Sequence, residues 1–205
     1  AFAAQVNRVD VFVFDKEGTF IMKKSEQGET LGSGSYRMPL PLPVGEYRIA
    51  AWAGVSDDFE MPELVARKST LEDLMVRMKR KESLVHNKAL NPLWYGEVKT
   101  VDFTGRQEQT EMVSLIKDTN KFRFILQKSG LGEELDMSDC LFEIHADNGY
   151  YDWNNDLLDD DVISYQPYHL EKVEDVGIVA EMNTMRLLEH KKVYLTLTRK
   201  SDGKE

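Results

Sequence analysis

The clearest hydrophobic rhythm in the chain runs from Val9 to Met22. Val9, Val11 and Val13 alternate with Asp10, Phe12 and Phe14, a period of two in β-branched and aromatic residues that predicts a strand. Asp15-Lys16-Glu17-Gly18 supplies turn chemistry, with Gly18 free to take the positive φ of a tight reversal. Thr19-Phe20-Ile21-Met22 then resumes an extended run. Asp10 is the only clearly polar residue between Val9 and Phe14, so both faces of this strand are expected to lose water. The core of the first domain is placed here.

The same reading continues along the chain. Gln27 to Ser35, rich in glycine and serine, predicts a loop, and Tyr36 to Met38 a short strand. Pro39, Pro41 and Pro43 alternate with Leu40, Leu42 and Val44; proline donates no ladder hydrogen bond, so this is an edge or an extended connector. Glu46 to Val55 predicts a strand with Tyr47, Ile49 and Ala51 on one face and Arg48, Ala50 and Trp52 on the other. Ser69 and Glu72 read as a capping box, giving one helical turn over Thr70 to Leu74 and then a strand through Arg80. The strand that follows Leu90 has Val98 and Val101 out of phase, which predicts a bulge near Gly96 or Lys99. Thr104 to Gln107 is a turn and Thr110 to Ile116 another strand. Further strands are expected at Lys121 to Gln127 and Leu141 to Ala146. Asp147-Asn148-Gly149-Tyr150 predicts a hairpin with a type I′ turn. Val162 to Leu170 and Val193 to Thr198 are the last extended runs, and Ser201-Asp202-Gly203 is a final turn with no strand after it. The sum is an all-β protein of two sandwich domains, 1–117 and 118–205, the second incomplete.

Composition narrows the function classes. The 205 residues are 41% hydrophobic and 30% charged, with a formal net charge of −10. No basic stripe is present, which argues against nucleic acid as a partner. The densest basic run, Arg77 to Lys81, is read as a solvated strand end. No apolar run reaches the roughly 20 residues of a membrane-spanning helix, and Ala1 to Ala4 is not read as a signal peptide. The single cysteine, Cys140, excludes an internal disulfide.

Catalytic patterns are sparse. Cys140 and His145 lie five apart on a predicted strand, and an odd separation sets them on opposite faces. The four histidines, His86, His145, His169 and His190, have no partner at zinc spacing. Asp152, Asn154 and Asp156 match the start of a calcium loop, but Leu157 and Ile163 stand where glycine and a bidentate glutamate are required. Asp159-Asp160-Asp161 beside them leaves a cation site as a minor reading. No cofactor, metal or catalytic residue is assigned, and an enzyme is the weakest option.

Five stretches carry a resemblance. Val9 to Gly18 resembles the "lyvFD-x-x-G" opening of the FimB/Mfa-like fimbrial subunits of Bacteroides-type (type V) pili. Leu42 to Ala53 resembles that family's "lpPG-x-Y-x-ivaW-g", Leu93 to Gly96 its "LfyG", Asp147 to Asn154 its "g-x-NG-x-ydf-n", and Met185-Arg186-Leu187 its "tlRL". They occur in the family's order across nearly the whole chain. The resemblance implies two tandem transthyretin-like β-sandwiches. It also implies an exported lipoprotein, held in the outer membrane by an N-terminal lipid outside this chain and acting with other fimbrial subunits as an anchor or accessory at the cell surface. Strand complementation is the expected mode of assembly, with Val9, Val11, Val13, Phe12 and Phe14, and Val193, Leu195 and Leu197, as expected docking residues. The rival class is a carbohydrate-binding sandwich in which Tyr150, Tyr151 and Trp153 stack on sugars of a host or bacterial surface ligand.

Overall fold

The structure is a computed structural model that describes residues 5–28, 31, 36–80, 83–127 and 136–204. The loop expected at Gln27 to Ser35 lies mostly outside those residues, as does Lys81. The described residues form fifteen strands: β1 Arg8–Asp15, β2 Phe20–Gln27, β3 Gly45–Ala53, β4 Phe59–Glu60, β5 Val76–Met78, β6 Val85–His86, β7 Trp94–Phe103, β8 Leu115–Lys117, β9 Thr119–Leu126, β10 Cys140–Ala146, β11 Tyr150–Tyr151, β12 Ile163–Tyr165, β13 His169–Val173, β14 Gly177–Met185 and β15 Leu195–Arg199. No α-helix occurs among the described residues.

The chain sorts into two compact units that exchange segments. The first holds Ala1–Lys79, Asn91–Asp118 and Tyr150–Leu158; the second holds Arg80–Leu90, Thr119–Gly149 and Asp159–Glu205.

The first unit is built on a five-stranded antiparallel sheet in the order β2-β1-β3-β7-β8, with a three-stranded sheet in the order β11-β5-β4. β1 is hydrogen-bonded along both edges, and its residues from Asp10 to Phe14 are all buried. The reversal that follows it is held by Gly18 at φ +87° and by the Thr19 amide, which donates to Asp15 Oδ1 at 2.8 Å. On one face Val11, Val13, Tyr47, Ile49, Ala51 and Val101 form a single cluster. On the other, Phe14 meets Phe20 with ring centroids 5.6 Å apart, and Trp52 meets Tyr95 at 5.2 Å. Asp10 shares that aromatic face and is fully buried. Its carboxylate is met by Arg8 Nε at 3.0 Å, Lys23 Nζ at 3.2 Å and the Ser25 hydroxyl, which donates to Oδ1.

Three expectations shift in this unit. The capping box sits one residue later than Ser69 and Glu72: the Thr70 amide donates to Asp73 Oδ2 at 2.8 Å, and a 3-10 turn covers Leu71–Asp73. Residues 36–38 are extended but pair with no strand among the described residues. The strand expected over Thr110 to Ile116 is only β8, for a reason given below.

The second unit has a four-stranded sheet in the order β15-β10-β12-β6 and a three-stranded one in the order β13-β14-β9. β14 pairs on both edges and buries seven of its nine residues, Ile178, Val179, Ala180, Met182, Asn183, Thr184 and Met185. The hairpin expected at Asn148-Gly149 does not form. Neither residue has a positive φ, and β10 pairs with β12 and β15 rather than with β11. Asn148 instead lies buried as a clamp. Its amide nitrogen donates to Met185 O at 3.1 Å and Arg186 O at 3.0 Å, and its oxygen accepts from the Tyr165 hydroxyl at 2.7 Å.

Two stability measurements follow from these buried polar groups. Asp10→Ala is expected to cost about 2–3 kcal/mol, less than the ~3–5 of a fully dry pair, since the cations themselves are partly solvated. The Arg8 and Lys23 side chains retain 35% and 37% exposure. Urea unfolding reads this as a lower midpoint at unchanged slope; an unchanged midpoint would show that the pairings contribute nothing. Asn148→Ala removes three hydrogen bonds, although Met185 O keeps the Thr184 hydroxyl and the Asn120 amide as donors, and the expected cost is about 2 kcal/mol. An Asn148→Ala protein as stable as wild type would show that water replaces the clamp.

Candidate functional site

The Val11–Ile49–Val101 face of the first unit's sheet is covered by two extended segments rather than by strands. The first is the proline run. Met38, Leu40 and Leu42 pack on the cluster, while Pro39, Pro41 and Pro43 point to solvent. Proline has no N–H, so this strap cannot join a ladder. Side chains hold it in place: the Tyr36 hydroxyl donates to Glu26 Oε2 at 2.9 Å, Lys24 Nζ to Pro39 O at 2.5 Å, and the Tyr47 hydroxyl to Pro43 O at 2.8 Å. Burial, together with the Glu26 carboxylate, pushes the Tyr36 phenol up and keeps it a donor.

The second cover is the segment from Glu108 to Leu115. Between the two lies a cleft of about 780 Å³. Its floor is Val9, Val11, Ile49, Ala51, Val101 and Phe103, and its rim carries Lys24, Arg37, Lys99, Glu108 and Glu111.

One wall of the cleft adjoins an open sheet edge. β7 pairs with β3 along its length, but Ile49 faces Lys99 and Ala51 faces Gly96, so Glu97 and Val98 bulge opposite Ala50. This is the bulge expected from the phase of Val98 and Val101. On its outer side β7 pairs with β8 at Trp94, Tyr95 and Gly96 only. From Glu97 to Phe103 that edge has no partner among the described residues.

The expected docking residues divide. Val9 and Val11 line the cleft; Val13 belongs to the same cluster but is fully buried. Phe12 and Phe14 are buried on the opposite face. Leu195 and Leu197 lie on β15, which pairs with β10 on one edge only; Leu195 is exposed, and Val193 and Leu197 are half-buried. The strap and the β7 edge were not singled out as site elements from sequence. The proline alternation was the available signal for the strap.

The expected sugar-stacking rings also divide. Tyr151 is fully buried, so it presents no face to solvent. Tyr150 is half-buried, with the Arg77 guanidinium 5.3 Å from its ring centroid and its hydroxyl donating to Met75 Sδ at 2.8 Å. Trp153 is half-buried.

Reactive groups are kept apart or used internally. Cys140 and His145 are five residues apart on β10, about 17 Å along an extended chain. Burial first, then the Asp139 and Asp136 carboxylates, push the Cys140 thiol up, away from thiolate. Asp152 Oδ1 accepts from the amides of Asn154 at 2.8 Å and Asp156 at 2.9 Å, so the calcium-like loop satisfies itself. In the second unit the cation beside Asp160 and Asp161 is Arg80, which pairs with both. Arg80 is therefore not a solvated strand end: its side chain is 12% exposed. No group of three His, Cys, Asp or Glu is placed to hold a metal among the described residues. Nor is any helix there long and apolar enough to cross a membrane.

A profile described as "Fimbrillin-A associated anchor proteins Mfa1 and Mfa2" matches residues 1–205. The chain belongs to the Mfa2 family. It is 23% identical to the minor fimbrium anchoring subunit Mfa2 of Porphyromonas gingivalis, matching over the whole chain but only 63% of that subunit's length. Among solved structures, a candidate polysaccharide-binding protein from Bacteroides thetaiotaomicron is 44% identical with a TM-score of 0.93, matching 98% of this chain and 71% of its own. A candidate adhesin from Bacteroides ovatus is 30% identical with a TM-score of 0.86, over 99% of this chain and 69% of its own. The Mfa2 anchor protein of P. gingivalis shares the fold at a TM-score of 0.78 and 21% identity, over 98% of this chain and 72% of its own. The Mfa2 family is structural rather than enzymatic.

Gly96 closes the stretch Leu93 to Gly96 that resembles the family, and the cleft gives it a physical role. A Cβ there would lie 2.7 Å from Val113 Cγ1, 2.9 Å from Leu115 Cδ2 and 3.1 Å from Ala51 Cβ. The second cover crosses the sheet directly over this glycine. Gly96→Val is expected to cost about 1–3 kcal/mol by overpacking, read as a lower melting temperature. Unchanged melting would mean that the crossing is loose enough to move aside.

Proposed function

We propose that this chain is a fimbrial subunit of the outer-membrane surface, an anchor or accessory that receives an extended segment from a neighbouring fimbrial subunit in the first unit's cleft. The observation that carries this reading is the apolar cleft beside the β7 edge from Glu97 to Phe103, which has no partner among the described residues. An incoming segment gains backbone partners along Glu97 to Phe103 and sets side chains beside Val101 and Phe103, and the part of it lying across the face reaches Val9, Val11 and Ile49. Each apolar side chain buried there contributes about 1.5–3 kcal/mol relative to exposure. Four or five such anchors exceed the ordering cost of a short segment. Membership of the Mfa2 family supports fimbrial subunits as the partner class. In this reading the two compact units are two transthyretin-like sandwiches, and an acylated cysteine upstream of Ala1 carries the protein on the outer membrane.

A second reading, carbohydrate binding, is favoured by one comparison: the B. thetaiotaomicron relative is described as a candidate polysaccharide-binding protein. Tyr150 and Trp153 are the rings left to serve it. The two readings separate by experiment. Val9→Glu places a charge in the cleft floor at a half-buried position, and is expected to abolish recruitment of a fimbrial subunit while leaving the circular dichroism spectrum native. Val11→Asp, which sits deeper in the cluster, is expected to abolish folding or assembly. Normal recruitment by a folded Val9→Glu protein would sink the docking reading. Selective micromolar binding on a glycan array, lost in Trp153→Ala, would establish the second.

A further inference from the structure

The segment that forms one wall of the cleft is the second half of a hairpin that has only partly closed. β7 ends at Phe103, the chain turns through Thr104 to Gln107 with Gly105 at φ +71°, and β8 returns. Trp94, Tyr95 and Gly96 pair with Lys117, Ile116 and Leu115. Carried on in that register, the ladder would set Val98 opposite Val113 and Thr100 opposite Glu111. It would close at Phe103 and Glu108 on a four-residue loop, an ordinary hairpin length.

The ladder instead stops at Gly96, where the bulge begins. From there residues 108–114 leave the edge and lie across the sheet face, with Val113 packed on the apolar cluster. Residues 104–114 make no backbone–backbone hydrogen bond with other described residues. Met112, at 80% exposure, is the most exposed large hydrophobic side chain among the described residues. A segment in register with an open edge, without backbone partners and with a stranded methionine, has a second place to go.

We propose that residues 108–114 are a two-position arm. Laid across the face, they leave the β7 edge open to an incoming strand; zipped against β7, they close it. The regulatory meaning rests on the docking reading above, because the edge needs guarding only if a strand arrives. Zipping satisfies the β7 edge and turns Met112 to the side of Lys99 and Val101. Lying across keeps Val113 in the cluster. The arm and the incoming strand compete for the same donors and acceptors, so the zipped position protects the edge from unwanted pairing before assembly.

A disulfide trap tests this in a Cys140→Ser background, which removes the native thiol. Thr100→Cys is combined with Glu111→Cys in one protein and with Met112→Cys in another, the registers on either side of the bulge. Lys99, Val101 and Phe103 line the cleft, so Thr100 points to the other side. Its Cβ therefore cannot face an arm lying across the cleft. Expected is near-complete loss of free thiols in one of the two proteins under mild oxidation, with a native spectrum. Free thiols retained in both would overturn the arm. A fluorescein-labelled peptide of alternating valine and threonine then reads the edge. Expected is binding by the reduced form, at least tenfold weaker binding by the oxidised form, and recovery on reduction. Equal binding by both forms would overturn the guarding role. Failure of the wild-type cleft to bind the peptide goes against the docking reading alone, and the thiol count still decides the arm.

Discussion

β1 uses every surface a strand has. Its two edges are taken by β2 and β3, and its side chains from Asp10 to Phe14 are buried on both faces. Such a strand constrains all that surrounds it. The aromatic face must hold a carboxylate, so Arg8, Lys23 and Ser25 gather around Asp10. The valine face must be covered as well, and there no strand of the same sheet can help. The cover comes from a proline strap and from the return of the β7 hairpin. A strap that cannot form a ladder shields a sheet without extending it. Its shielding is incomplete, and the gap is the cleft.

The β7 bulge then decides what the cleft adjoins. By inserting Glu97 and Val98 opposite Ala50, it ends the pairing with β8 at Gly96. Seven residues of edge are left without a partner among the described residues, beside an apolar floor. Sheet edges in soluble proteins are usually shielded by charge, as β2 is with Lys23, Lys24 and Glu26, or by a covering segment. The β7 edge carries Glu97, Lys99 and Asp102, yet it borders Val101 and Phe103 in the cleft. That combination of open ladder and apolar floor suits an assembling subunit better than a solitary domain.

Much of the first unit was legible in the sequence because its strands alternate cleanly. β1 and the two faces of β3 follow from period two, and the Gly18 reversal from the turn chemistry of Asp15 to Gly18. The bulge followed from two valines out of phase. The strap followed from the absence of proline donors, although its position over the sheet did not. The second unit was less legible. β14 is buried on both faces, so Gly177 to Met185 shows no alternation to read. Asn148-Gly149 looks like a turn by composition, but three tertiary hydrogen bonds made Asn148 a clamp, and local preference lost to them. The exchange of the segments Arg80–Leu90 and Tyr150–Leu158 between units has no local signal, since it depends on pairings such as β5 with β11 across more than 70 residues. Of the β1 residues expected to dock, Val9 and Val11 line the cleft, Val13 lies buried in the same cluster, and Phe12 and Phe14 face the other way; a strand's sequence does not say which face stays accessible.

The most direct test of the cleft as a docking site is photo-cross-linking in cells that assemble fimbriae, with benzoylphenylalanine placed at Val9. If an extended segment of a neighbouring subunit occupies the cleft, mass spectrometry will find the Val9 position joined to one short stretch of a fimbrial subunit, rich in alternating apolar residues. Fimbriae that assemble normally with no subunit joined at Val9 would contradict it.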